Sequence, residues 1–302
     1  MKPGPKRWLA GWRTLARRLG AAGLAATIVP AGSGAGPPAL GIPSLAGPAL
    51  PTKAEAELII QRLRGARAEG ASPSYVEFQL EELPRRGEAR VVPGRLWLGA
   101  GDGWAATRIV LGAPGETMRL LIRGGSRPQV WRWTAGSLIR ASDLFAPLLP
   151  GATITPFDLE MPFLLWPDPR VLSLNHILGR PTYGFIFQAP PDFVAAHPEI
   201  WGVRAYLDTR YNAPLKVQLL GPSQRVRNTT SLVSLKKAAG HWIPATLDFR
   251  DETTHDKTRF VVTGVAFAPE IAPGLFSPER LGDPEGPAPG IIPVEPAEAA
   301  DQ

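Results

Sequence analysis

From residue 74 onward, apolar and polar side chains alternate with a period of two: Val76, Phe78 and Leu80 interleave with Glu77, Gln79 and Glu81. Such alternation places one set on a buried face and the other toward water, the mark of a strand. Similar short runs recur at 95–99, 104–111, 117–123, 129–134 and 137–141, separated by turns that carry Gly or Pro. Strands this short with connections this tight predict an antiparallel meander. Trp131 and Trp133 are two apart and so share a face. The period returns at 183–188, 202–208, 215–220, 226–235, 242–250 and 258–267, with DTRYNAP (208–214) as a hairpin turn.

Two stretches depart from this period. Thr52-Lys53-Ala54-Glu55 has the spacing of a capping box, and Leu58, Ile59, Leu63 and Arg64 follow at helical intervals. One helix is therefore predicted over about 53–68, ending near Gly70 with Pro73 beyond. Between the two sets of strands, residues 153–178 are rich in large apolar side chains but carry Pro156, Pro162, Pro167 and Pro169. Proline at that frequency excludes a long helix, so one or two short helices are predicted around 157–165, with a loop through 166–171. The predicted class is α+β, mainly β.

Composition narrows the chemistry. The chain has no cysteine, which removes disulfides, thiolate metal sites and cysteine nucleophiles. His176, His197, His241 and His255 are scattered without ligand spacing or a triad context, so no metal and no cofactor is expected. The net charge is +6, but residues 1–35 hold six bases and no acid, leaving 27 bases against 27 acids elsewhere. That balance argues against a nucleic-acid partner. Asp158 and Glu160 could be read as paired acids for hydrolysis. Following Thr155 and Pro156, they stand instead where acids favour a helix N-terminus, so capping is the expected role.

The N-terminal order is basic to Arg18, apolar over 19–29, then small (Ala31 to Ala35), as in a secretory signal cleaved near Ala35. An apolar run of eleven is too short to span ~30 Å of hydrocarbon. The expected organisation is a signal peptide over 1–35, a Pro- and Gly-rich linker over 36–51, one domain over 52–281 and a disordered acidic tail over 282–302.

Read together, these segments resemble the outer-membrane lipoprotein-sorting proteins, a family of periplasmic carriers and receptors. The resemblance rests on a helix then an extended strand (55–83), VWRWTAGSLIRASDL (130–144) and the Pro-interrupted insert TITPFDLEMPFLLWPDP (153–169). It continues through LGRPTYGFIFQAP, RAYLDTRYNAPLKVQLLG, GHWIPATLDFRDETTHDKTRFVV and APGLFSPERL, in that order, over residues 52–281. It implies an antiparallel sheet curled into an incomplete barrel, covered by the N-terminal helix and short lid helices that enclose an apolar cavity. In such carriers the cavity shelters the acyl chains of lipoproteins passing between membrane-bound donor and acceptor proteins. Each exposed CH₂ disfavours the aqueous state by roughly 0.8 kcal/mol, so such transfer requires shelter. The resemblance implies a monomeric, non-enzymatic periplasmic protein, with Trp97, Trp131, Trp133, Phe157, Phe163, Leu164, Leu165 and Trp166 lining the cavity and lid. The arginine that fastens the lid in carriers falls among Arg123, Arg132 and Arg140, which the sequence does not separate. The linker and acidic tail depart from the carriers and leave two rival readings open: an envelope-stress sensor or scaffold that binds a regulatory protein, and an exported hydrolase using Asp158 or Glu160.

Overall fold

The computed structural model describes residues 29–30, 49–68, 73–101, 104–112, 117–141, 143–210 and 213–295. Of the expected signal peptide only Val29–Pro30 is described, paired antiparallel with Trp242 and His241; the rest of it, the expected cleavage site near Ala35, most of the linker and the tail beyond 295 lie outside the described residues.

Helix α1 (Lys53–Ala68) opens the domain. Its capping box forms as the spacing requires: Glu55 N–H donates to Thr52 Oγ1 at 3.3 Å, and Thr52 N–H donates to Glu55 Oε2 at 2.8 Å. Six strands follow: β1 (Ser74–Leu83), β2 (Arg90–Gly101), β3 (Trp104–Leu111), β4 (Met118–Arg123), β5 (Gln129–Thr134) and β6 (Ser137–Ala141). After an insert over 143–169 come β7 (Arg170–Ile177), β8 (Arg180–Gln188), helix α3 (Pro191–Ala196), β9 (Gly202–Asp208), β10 (Pro214–Leu220), β11 (Val226–Ala238), β12 (His241–Asp251) and β13 (Lys257–Phe267). The insert contains helix α2 (Pro156–Glu160) and a 3₁₀ turn (Pro162–Leu165).

Every pairing is antiparallel, and the strand order is β6-β5-β4-β3-β2-β1-β13-β12-β11-β10-β9-β8-β7. Each strand lies beside its sequence neighbour, except that β1 also pairs with β13 and β6 does not pair with β7. The sheet is an open ring with its seam where the insert leaves and returns, which is the incomplete barrel expected from the resemblance.

Side-chain alternation sorts the sheet into two faces. Val76, Phe78, Leu80, Ile109, Phe185, Phe187, Val203, Ala205, Leu247 and Phe260 point into one apolar core shared with α1 and the insert. Helix α1 contributes Ala56, Ile59 and Ile60, with Leu63 packed beside them. Gly94 faces Phe78 in register, and the stack of Phe78 on Phe260, with centroids 4.2 Å apart, depends on the missing side chain. A Cβ at Gly94 would lie 2.3 Å from Phe78 Cζ and 2.9 Å from Leu111 Cδ2.

The outer face carries a second cluster of Tyr75, Trp97, Ala106, Val110 and Leu121, covered by Leu275, Phe276, Leu281 and Ala288 of a C-terminal strap over 272–288. Arg108, fully buried on β3, fastens this strap. It donates to the carbonyls of Leu275 (2.9 Å), Arg280 (3.1 Å), Leu281 (3.1 Å) and Asp283 (3.0 Å), and pairs with Glu285. Burial pushes its guanidinium down to about 10, with repulsion from Arg119 adding to the shift.

Two expectations are corrected. Residues 282–295 do not form a disordered tail: Ala288 and Val294 are buried, and Ile292–Pro293 bridges to Val265 and Gly264 of β13. Acidic, proline-rich composition signals disorder only where no apolar side chain finds a surface, and here Ala288, Ile291, Ile292 and Val294 do. The loop expected through 166–171 gives way to β7 at Arg170, where the chain pairs with β8, Arg170 lying opposite Ile186. Helix α3, begun by Pro191 at its first turn, was not foreseen.

Because Gly94 sits under an aromatic stack inside the core, Gly94→Ala should lower stability by about 1–3 kcal/mol through overpacking. Thermal or urea unfolding of this variant beside the parent measures the change, and an unaltered midpoint would contradict the close approach.

Candidate functional site

The insert turns inward at the seam and fills the hollow of the curled sheet. Leu144, Leu148, Ile154, Phe157, Leu159, Met161, Phe163, Leu164 and Trp166 all join the inner core. Their aromatic rings interlock with rings from the sheet side. Phe163 meets Phe187 of β8 edge-on at 5.1 Å, while Trp166 lies 4.9 Å from Phe193 of α3. Phe157 stands between Phe145 at 4.8 Å and Phe193 at 6.2 Å.

The four buried lid residues expected from the sequence, Phe157, Phe163, Leu164 and Trp166, are therefore brought together, with Leu165 half-buried beside them. The three tryptophans are not. Trp97 alternates with Leu96 and Leu98, which are inner-core residues, so Trp97 faces outward. Trp131 and Trp133 flank Arg132 and likewise pack on the outer cluster. The period of two that made the strands legible also assigns these tryptophans to the wrong side for a shared cavity wall.

An apolar cavity of about 30 Å³ lies between Leu159 of the insert and Val76, Leu96, Ile243, Leu247, Phe260 and Val262 of the sheet. A larger, half-polar cleft of about 340 Å³ opens beside the start of α2 and is lined by Thr155, Asp158, Arg227, Asn228 and Asp251 among others.

The insert is held by one residue of α1 that the sequence reading placed on the helix without assigning a role. Arg64 donates from Nε to the carbonyl of Leu164 at 2.8 Å and from Nη2 to the carbonyl of Trp166 at 2.6 Å. Charged donors to carbonyl groups are among the stronger hydrogen bonds a protein makes. Of the three sheet arginines expected for this role, Arg132 reaches the insert, donating to the Pro147 carbonyl at 3.0 Å. Arg123 and Arg140 lie over the ring of Trp131 on the outer face. The fastening arginine comes from a helix rather than a strand, and its signal was a cation at the helix position following half-buried Leu63.

The acids of α2 have local roles. Thr155 caps the helix: Asp158 N–H donates to Thr155 Oγ1 at 3.3 Å, and Asp158 Oδ2 accepts from Thr155 N–H at 2.9 Å and Thr155 Oγ1 at 2.7 Å. Thr230 of β11 donates to Asp158 Oδ1 at 3.3 Å. Loss of solvation outweighs these bonds and raises the Asp158 carboxyl from 3.8 to about 6. Glu160, buried on the other side, accepts from Thr107 Oγ1 at 2.7 Å. Asp158 lines the polar cleft and Glu160 does not, so the two do not form the facing pair that hydrolysis of a glycoside requires. Among the described residues, no group of three or more His, Asp or Glu is placed to hold a metal ion, and no helix is long and apolar enough to cross a membrane.

The seat of the insert also contains local costs. Trp166 Nε1 is buried with no hydrogen-bond partner among the described residues, an omission that disfavours the seated state by about 1–3 kcal/mol. Met161 (φ 43°) and Asp168 (φ 50°) adopt the left-handed backbone that side chains disfavour.

No family profile and no curated protein matches the chain. Solved structures do share its fold. A DUF1329 family protein of Desulfovibrio piger superimposes with a TM-score of 0.65 at 13% identity, covering 77% of this chain and 100% of that one. A putative outer-membrane lipoprotein-sorting protein domain from Vibrio parahaemolyticus gives 0.62 at 16% identity, covering 74% and 97%. A LolA-superfamily protein of Nitrosomonas europaea gives 0.54 at 14% identity, covering 68% and 90%. The chain thus has the curled-sheet fold of the lipoprotein-sorting type.

The raised Asp158 pKa has a definite sign. Between about pH 4 and about pH 6 the folded state holds a proton that the unfolded state releases, so this residue's contribution to stability falls as pH rises. Melting temperatures of the parent and Asp158→Asn, followed from about pH 4 to about pH 7, should diverge in favour of the variant as pH increases. A difference independent of pH would refute the desolvated carboxyl.

Proposed function

We propose that this protein is an exported, non-enzymatic binding protein that shelters acyl chains of lipoproteins or other lipids, with the 143–169 insert as a movable filling of the curled sheet. The single observation that carries this reading is the seat of the insert. Its aromatic side chains occupy an apolar hollow as a hydrocarbon ligand would, and its backbone is pinned there by Arg64. Swinging the insert out would expose a hollow lined by Val76, Phe78, Phe185, Phe187, Val203 and Phe260, and would part Arg132 from the Pro147 carbonyl and Glu82 from Gly151. Trp166 Nε1 and the left-handed Met161 and Asp168 lower the cost of leaving.

Other support is less direct. The order of basic, apolar and small residues over 1–35 favours export to the periplasm. The fold shared with the Vibrio domain, whose description names lipoprotein sorting, favours a lipid ligand and membrane-bound donor and acceptor partners. Of the eight residues proposed for the site, Phe157, Phe163, Leu164, Leu165 and Trp166 remain as the lid. Trp97, Trp131 and Trp133 are withdrawn from the cavity, since they point outward.

Lipid extraction and mass spectrometry of the protein purified from the periplasm should yield acylated species. Removing the latch by Arg64→Met should speed uptake of a fluorescent fatty acid roughly tenfold or more, the value of one or two charged hydrogen bonds. A protein that is free of lipid and takes up no probe even without Arg64 would rule the reading out. A single stoichiometric protein partner in place of lipid would favour the sensor or scaffold.

A further inference from the structure

The outer face of β4, β5 and β6 differs from the rest of the surface. Residues 117–142 contain five arginines and no acid or lysine, and Arg119, Arg123 and Arg140 of these lie on the outer face. In register, Arg119 lies opposite Trp133 and Trp133 opposite Leu138; one step along, Trp131 lies opposite Arg140. The guanidinium of Arg119 sits 4.9 Å from the Trp133 ring, while Arg123 and Arg140 sit 5.1 Å and 5.8 Å from the Trp131 ring. At the neighbouring strands Arg95 stands 5.8 Å from Trp97, and Trp104 is 56% exposed, leaning toward the turn at Gly125. Leu138, on the free edge, is 44% exposed. The cations crowd one another: the Arg119 guanidinium is held below its ordinary value first by burial, then by Arg95. Acids do approach the margins. Asp283 of the strap stands near Arg119 but bonds Arg280 at 2.9 Å, Glu279 stands near Arg123, and Arg127 pairs with Asp192 of α3.

We propose that this tryptophan and arginine face docks the protein on an anionic lipid surface. Each arginine stacked on an indole is already ordered, so little freedom is lost when its planar fork meets a phosphate. Indole and leucine side chains left half in water favour the boundary between headgroups and hydrocarbon, where one side is apolar and the other wet. The shape selects the partner. This face is the outside of a curled sheet and bulges toward solvent, which suits a deformable plane; an extended acidic peptide is bound by a groove or a free strand edge. The inference is independent of the acyl-chain reading, because a protein with no lipid inside could dock in the same way.

The test is sedimentation of the full chain with vesicles of phosphatidylcholine alone or mixed with phosphatidylglycerol, with tryptophan emission recorded in parallel. Because residues 1–18 are also basic, the decisive comparison is between variants that share them. Parent protein should bind the anionic vesicles only, shift its emission to the blue and release with salt. Arg123→Gln with Arg140→Gln should weaken binding roughly twentyfold, about fivefold for each charge near the surface. Trp104→Gln with Leu138→Gln, both at exposed positions, should weaken binding and reduce the blue shift while leaving the melting temperature within a degree or two. The proposal is overturned if the arginine variant binds as the parent does, if no anionic vesicle is bound at low salt, or if polyglutamate binds this face and vesicles do not.

Discussion

The architecture follows from one constraint: each strand finds its sequence neighbour, and the chain closes β1 onto β13, but the ring stops short between β6 and β7. A twisted antiparallel sheet of this length curls and so acquires an inside and an outside. Each face presents a row of apolar residues to be covered. The insert and α1 cover the inside, and the C-terminal strap covers the outside. The insert has to begin and end at the seam, so the segment whose aromatic side chains fill the inside is also the one whose two ends lie at the opening.

This geometry sets filling against release. Burial of Phe157, Phe163 and Trp166 favours the seated insert, at a few kcal/mol for each large side chain removed from water. The orphaned indole N–H, the desolvated carboxyl of Asp158 and the left-handed residues oppose it. Arg64 tips the balance at the point where the 3₁₀ turn meets α1, by satisfying carbonyl groups that the turn leaves open. A hydrocarbon ligand could replace the aromatic contacts with its own, whereas water could not.

Much of this was legible along the chain. Nearly every strand was visible from its alternation, the capping boxes of α1 and α2 from Thr with an acid three residues later, and the insert from its prolines. What escaped notice has a common origin. The faces of Trp97, Trp131 and Trp133 are fixed by which neighbouring residues join the inner core, and that depends on the curl of the whole sheet. Arg64 and Arg108 act on backbone carbonyls a hundred or more positions distant, and a carbonyl has no letter in a sequence. The ordered course of 282–295 rests on a few apolar side chains, Ala288, Ile291, Ile292 and Val294, within a composition that otherwise reads as solvated. β7 was obscured because its apolar residues, Val171, Leu172, Leu174 and Ile177, do not alternate and it begins immediately after Pro169.

The manner in which Arg108 grips the C-terminal segment has an evolutionary corollary. Four of its contacts are to main-chain oxygens, at Leu275, Arg280, Leu281 and Asp283, which every amino acid supplies alike. Attachment therefore specifies the path of the polypeptide and leaves many of its side chains unread. Homologous chains could replace much of this stretch, retaining a few greasy anchors, and still be tethered at the same spot. In such lineages the guanidinium should outlast the letters it holds.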